Sequence, residues 1–309
     1  MLPLLAVVAA AVLFGTTGTS QALGPGDTTP LAVGAMRLLI GGTALGIVGW
    51  ALGRRARRRM GAPRADARAI ALMTVTGVAL AVYQPLFFLG TARNGVAVGT
   101  VAALGSAPVI AGVIEWALTR RRPHATWMAA TALALVGVAV LAFAAGGPAG
   151  ADPLGFVGSV GAGASFAVFA NAQRRLLTGG WDPFSVAGAM GAGSAIVALA
   201  FVPFVDLSWV VAASDSALSG LAMSLWLGLA TITLAYTLFT WGLQRLTAAT
   251  AATLTLAEPL TAAVLGIAVL GERLSPAEIG GLVVLGAGLL VLAWGSRAPR
   301  DPQPFAVEG

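Results

Sequence analysis

Leu104-Gly105-Ser106-Ala107-Pro108-Val109-Ile110-Ala111 and Thr255-Leu256-Ala257-Glu258-Pro259-Leu260-Thr261-Ala262 are 151 residues apart (255 − 104) and decide the architecture. With Pro108 set on Pro259, Phe87–Ala144 runs without a gap against Leu238–Gly295. So apolar a chain gives Ala and Val identities cheaply. The pairs Pro108/Pro259, Arg122/Arg273 and Gly137/Gly288 carry more weight, as do the triplets Val140-Leu141-Ala142 and Val291-Leu292-Ala293. The chain contains two copies of one unit.

Each copy holds five apolar segments of membrane length. A hydrocarbon core of ~30 Å needs about 20 apolar residues per helix. The segments read from the sequence are 4–23, 31–52, 69–90, 96–118, 126–145, 154–173, 183–205, 218–242, 247–270 and 277–295. Five is odd, so the second copy must cross the bilayer in the opposite sense. The expected fold is an all-α membrane protein of ten transmembrane helices arranged as two inverted five-helix repeats. Residues 1–147 form the first repeat, 148–296 the second and 297–309 a cytoplasmic tail. Inverted repeats place a substrate site near the midplane, where the copies meet.

Composition agrees with a membrane chain. Of 309 residues 58% are hydrophobic and only 10% charged, and the mean hydropathy is +0.88. Glycine is abundant in the apolar runs, and Gly42-x-x-x-Gly46, Gly49-x-x-x-Gly53 and Gly95-x-x-x-Gly99 allow close helix approach. Met1-Leu2-Pro3-Leu4 lacks the positive region of a signal peptide, so the first segment is expected as a retained helix.

Every basic side chain apart from His124 is an arginine, and their placement sets the orientation. With the N-terminus inside, 15 of the 18 arginines face the cytoplasm, Arg93 and Arg273 face outward and Arg37 lies within a segment. The positive-inside rule then gives both termini inside a bacterial-type plasma membrane, with 53–68 cytoplasmic and 146–153 external. The pI of 11.3 reflects these flanking loops, which lack interleaved aromatics. Anionic lipid headgroups, and no nucleic acid, are the expected contact. A small-molecule substrate is the other expected partner, and a homodimer stays open.

Thr29-Pro30, Asp152-Pro153, Asp182-Pro183 and Ser275-Pro276 each set an N-cap residue before a proline at the first helical position. Ser275-Pro276-Ala277-Glu278 is also a capping box.

Charged and polar groups inside the segments mark the candidate site. Glu258 lies near the bilayer centre, just before the helix-kinking Pro259; its counterpart Ala107-Pro108 keeps the kink without the acid. Arg37 can snorkel outward, pair with Glu258 or bind an anionic solute. Glu115 is expected to pair with Arg120-Arg121-Arg122. In the eighth segment Thr233, Tyr236, Thr237, Thr240 and Gln244 form one stripe at helical period, with Trp241 beside it. Tyr83 and Gln84 in the third segment, Thr17 in the first and Asn171 in the sixth complete the expected cavity. A proton exchanged at Glu258 and an uncoupled facilitator both fit this pattern. Pro108 and Pro259 are candidate hinges.

Enzymatic chemistry has little to work with. The sequence has no cysteine and a single histidine, His124, and no phosphate-binding GxxxxGK[ST] loop. No catalytic residue, metal site or cofactor is expected.

Thr255-Leu256-Ala257-Glu258-Pro259-Leu260, then Leu270-Gly271-Glu272-Arg273-Leu274 and Gly280-Gly281 with Gly286-Ala287-Gly288, resemble the EamA family of the drug/metabolite transporter superfamily. The resemblance covers about residues 2–296. It implies ten helices around a central cavity, alternating access, and often export of amino acids or other metabolites. Ala107-Pro108 and Arg121-Arg122 depart from the Glu-Pro and Gly-Glu pattern, so the two halves need not carry equivalent sites. Small multidrug pumps of that superfamily use a glutamate in their first helix; this first segment has no acid. The function expected is a secondary transporter, an exporter of a small amphipathic metabolite. A non-transporting membrane scaffold is the alternative.

Overall fold

Each of the four cap-proline pairs starts a helix. The Thr29 hydroxyl accepts from the Ala32 amide at 3.2 Å, and Asp152 accepts from Leu154 and Gly155 at 2.8 and 3.1 Å. Asp182 accepts from Ser185 at 2.8 Å, and Ser275 and Glu278 exchange bonds of 3.3 and 2.7 Å in a complete capping box. The computed structural model describes residues 1–60, 63, 65–144, 152–212 and 215–295. The 147/148 repeat boundary, most of the 146–153 loop, Arg64 and the 297–309 tail lie outside these.

Among the described residues the chain forms ten long helices and no strand. We number them α1 Leu2–Ala22, α2 Pro30–Met60, α3 Ala67–Gly95, α4 Val98–Thr119 and α5 Ala125–Ala144 for the first half. The second half has α6 Pro153–Thr178, α7 Pro183–Leu199, α8 Gly220–Leu243, α9 Ala248–Leu270 and α10 Pro276–Gly295. All but α7 are long and apolar enough to cross a membrane.

Several boundaries differ from expectation, and α6 runs on past 173 to Thr178. α7 stops at Leu199, not at 205, and short 3-10 turns follow at Val202–Phe204 and Ser208–Val210. Pro203 disfavours helix at the residue before it. α2 runs on through Arg54, whose guanidinium lies over the Trp50 ring at 5.4 Å. α3 and α4 form one continuous rod broken at Gly95, whose φ of 78° suits glycine.

The repeats meet through helices of matching rank. A Cβ built on Gly137 of α5 would lie 2.7 Å from the Gly281 carbonyl oxygen and 2.7 Å from the Leu285 Cα. One built on Gly288 of α10 would lie 2.9 Å from the Ala130 oxygen and 3.0 Å from the Ala134 Cα. Adding 151 converts 130, 134 and 137 into 281, 285 and 288, so each side presents the same surface to the other. That is an isologous contact about a two-fold axis, and the helices run antiparallel, as inversion demands. α2 and α7 repeat the theme, with Gly42 against Gly191 and Gly49 against Gly188.

At the Gly95 end, Arg93 and Asp152 form an ion pair of 2.8 Å, and Asn94 bonds the Asp152 backbone on both sides. The Gly155 amide and then Arg93 hold the Asp152 carboxyl below the usual range. That end also carries a cap of Trp209, Val210, Met223 and Leu227 over Ala32 and Val33. At the opposite end α4 closes with Arg120 at φ 58°; the matching turn after α9, carried to the Gly95 end by inversion, has Gly271 at φ 71°. A left-handed conformation costs a non-glycine residue about 1 kcal/mol.

Candidate functional site

A vestibule and a polar cluster organise the interior. The vestibule has a volume of about 1740 Å³. Its walls come from Met1, Asp66–Leu72, Arg121–Trp127, Arg174–Trp181, Arg245–Thr250 and the end of α10. These are the N-terminus, every second connection and the last helix end, which alternating helices bring to one face. Arg68, Arg121, Arg122, Arg174, Arg175 and Arg245 line it against Asp66 and Glu115.

From the vestibule inward, α6 carries Asn171, Phe169 and Phe166, and α8 carries Phe239 and Tyr236, with Arg245 just beyond its end. The rings pack as a layer: Phe166–Phe169 at 4.6 Å, Phe166–Phe239 at 5.6 Å, and Tyr236 at 5.7 Å from Phe169. Phe14 of α1 completes it, 5.1 Å from Tyr236. The sequence reading did not assign these phenylalanines. Their only signal was Phe166 and Phe169 at threefold spacing on a helix that also holds Asn171.

The second feature is the central cluster. Arg37, Tyr83, Tyr236 and Glu258 come from α2, α3, α8 and α9 and lie within electrostatic reach of one another. Arg37 donates from Nε to the Thr231 hydroxyl at 3.0 Å, and Thr231 in turn donates to the Leu227 carbonyl. No carboxylate of the described residues lies within ion-pair distance of Arg37, so its terminal nitrogens stay open. Tyr83, Arg37 and Glu258 remain partly accessible inside the bundle. The Tyr83 and Tyr236 hydroxyls and the Glu258 carboxyl make no hydrogen bond among the described residues. Gln84 is 4% exposed and also lacks a bond; it packs beside Gly34, one turn from Arg37.

Local backbone places these groups. Trp226–Leu234 of α8 is a π-helix, whose wider turn sends Thr231 to Arg37 and Thr233 to the Gly41 carbonyl at 3.0 Å. Pro259 cannot continue the α-ladder, and Thr255–Ala257 tightens to a 3-10 turn just before it. At that kink α1 comes close: a Cβ on Gly15 would lie 2.7 Å from the Glu258 carbonyl oxygen. The first half matches, with a Cβ on Gly163 of α6 lying 3.0 Å from the Ala107 nitrogen.

Other expected residues lie elsewhere. Thr240 is fully buried and donates to Gln173 at 3.2 Å, inside an α6–α8 contact. Asn171 lines the vestibule, but its amide donates to the Ala111 and Ala167 carbonyls at 3.3 and 2.9 Å. Thr17, one turn beyond Phe14, and Trp241 are half-buried with no side-chain hydrogen bond among the described residues. Glu115 does not pair with the arginine turn; it accepts from the Ala249 amide at 3.1 Å and caps α9. Among the described residues no group of acids and histidines could hold a metal ion.

The sequence pattern of the EamA-like transporter family matches residues 1–143 and again 153–294, one match per half. The chain belongs to the EamA-like transporter family. It is therefore a multi-pass membrane transporter built from two EamA units. "Uncharacterized transporter YwfM" of Bacillus subtilis (strain 168) is 40% identical over 294 residues, covering 95% of this chain and 93% of that one. A solved crystal structure superposes with a TM-score of 0.76 over 96% of this chain and 97% of its own. At 20% identity that likeness speaks for the fold alone.

Proposed function

We propose that this protein is a secondary transporter that exports a small amphipathic metabolite, such as an amino acid or a related solute, by alternating access. One observation carries the reading: in the membrane interior, the Glu258 carboxyl, two tyrosine hydroxyls and the Arg37 terminal nitrogens converge without hydrogen-bond partners among the described residues. Unsatisfied polar groups in that setting cost several kcal/mol each. A solute that bonds them offsets the cost. Arg37 suits a carboxylate, Glu258 an ammonium or hydroxyl donor, and Tyr83 and Tyr236 an apolar flank. The vestibule fits the alternating access, with the site reachable from one side in this state. It opens at the arginine-rich end, which the positive-inside rule makes cytoplasmic, while the opposite end is capped.

Purified protein in liposomes, screened against a metabolite panel, should move a solute that protein-free liposomes retain. Arg37→Gln and Glu258→Gln should each abolish most of that flux at normal expression. If Glu258→Gln instead loses only the response to an imposed pH gradient, the residue carries a coupled proton. The scaffold alternative draws on Thr233, Thr240 and Asn171, whose polar groups only tie helices together. No flux across the panel, with both variants tolerated, would favour it.

A further inference from the structure

The lipid-facing side of α4 and α5 carries a groove of about 270 Å³, lined by Val109, Gly112, Val113, Trp116, Trp127 and Met128 among others. Val109, Val113, Trp116 and Met128 are 45–55% exposed, an apolar surface suited to acyl chains in a bilayer. Gly112 forms its floor: a Cβ there would lie 2.7 Å from the Trp127 ring. Pro123 closes one end, directly after Arg120-Arg121-Arg122.

We propose that this groove binds an anionic phospholipid, with an acyl chain along α4 and α5 and the phosphate at the arginine turn. Two observations beyond the apolar lining point to it. Charge is complementary: the exposed turn Arg120-Arg121-Arg122 directly precedes groove-lining Pro123, with Arg121 and Arg122 on the adjoining vestibule wall, and none of the groove-lining residues is an acid. The turn also gives up a better backbone residue to keep its charge. Arg120 adopts the left-handed conformation that its repeat partner Gly271 adopts as a glycine, and its amide donates to the carbonyl of groove-lining Trp116 at 2.7 Å. The related position in the second half keeps the turn but has only Arg273, and the counterpart of Trp127 there is Glu278. The site therefore belongs to the first half alone.

The groove is also connected to the interior. Gly112, Trp116, Pro123 and Trp127 line the vestibule as well as the groove. Trp127 donates through Nε1 to the Thr253 hydroxyl at 3.1 Å, on α9 five residues before Glu258. A bound chain would hold that indole, and through it α9, in place.

The test uses the full chain in nanodiscs doped with a phosphatidylglycerol or a phosphatidylcholine bearing the same diazirine acyl chain. Irradiation should label residues 109–135 several-fold more with the phosphatidylglycerol. Each arginine near an anionic headgroup contributes about fivefold. Arg120→Gly should therefore lower the lipid preference about fivefold while making the protein more stable, a combination that a purely structural arginine would not give. Ala132→Phe, which fills the groove without touching charge, should remove labelling by both lipids. Equal labelling of the wild type by the two lipids would overturn the proposal. So would labelling of 109–135 no greater than that of the exposed α10 surface, or an unchanged preference in Arg120→Gly.

Discussion

Gly15→Ala should separate α1 from the kink in α9. A Cβ at this position would lie 2.6 Å from the Thr261 Cβ and 2.7 Å from the Glu258 carbonyl oxygen. Carbon atoms pack best at about 3.5–4.0 Å, so the helices must part by about 1 Å. Overpacking of that kind costs ~1–3 kcal/mol. Alanine also favours helix over glycine by about 1 kcal/mol, which masks part of the loss. Gly18 supplies the control, since nothing lies within 4 Å of a Cβ built there. The two substitutions share the propensity gain, so their difference isolates packing: Gly15→Ala should be about 1–3 kcal/mol less stable than Gly18→Ala. Reversible unfolding in mixed micelles measures the difference, and liposome flux should fall for Gly15→Ala only. Equal stabilities for the two variants would refute the reasoning, because the contact would then be slack.

Further tests address separate links. Thr231→Val removes the hydroxyl that fixes Arg37, and should weaken apparent solute affinity with expression unchanged; flux against solute concentration reports it. The folded-state carboxyl of Asp152 is depressed, so its contribution is present above the ordinary carboxylate range and fades as pH falls through its lowered value. Unfolding of wild type followed from pH 6 downward should show that loss, and Asp152→Asn should flatten the profile. If Pro108 and Pro259 act as hinges, alanine at either site should slow turnover and leave solute affinity nearly unchanged, as initial rates in liposomes would show.

The parts of this fold that were legible in the sequence are those written in local chemistry. Thr29, Asp152, Asp182 and Ser275 announce helix starts because a cap needs only its own next three residues. The 151-residue offset survives because α5 and α10 must keep small residues where they cross. The candidate site was legible only in part. Tyr83, Tyr236, Arg37 and Glu258 stand out because polar groups in apolar helices are costly. Thr233 and Thr240 fell into the same stripe at a 3.6-residue period. The π-helix at Trp226–Leu234 breaks that period at Thr233, whose hydroxyl goes to Gly41, while Thr240 keeps the period but is claimed by Gln173 on the packed α6. The contact of Glu115 is not legible in the sequence because its partner, the Ala249 amide, is 134 residues away and leaves no mark on its neighbours.

The self-matching α5–α10 surface has an evolutionary reading. A contact that pairs like with like could have been made first by two separate five-helix chains inserted in opposite senses. Such a pair is bound to carry any acid twice, once in each partner. Joining the copies in one gene lifts that constraint. One half can keep Glu258 beside its proline while the other relaxes to Ala107, and the arginines can drift to whichever half needs them to fix its orientation. A transporter with a single interior acid is something two identical subunits could not have built.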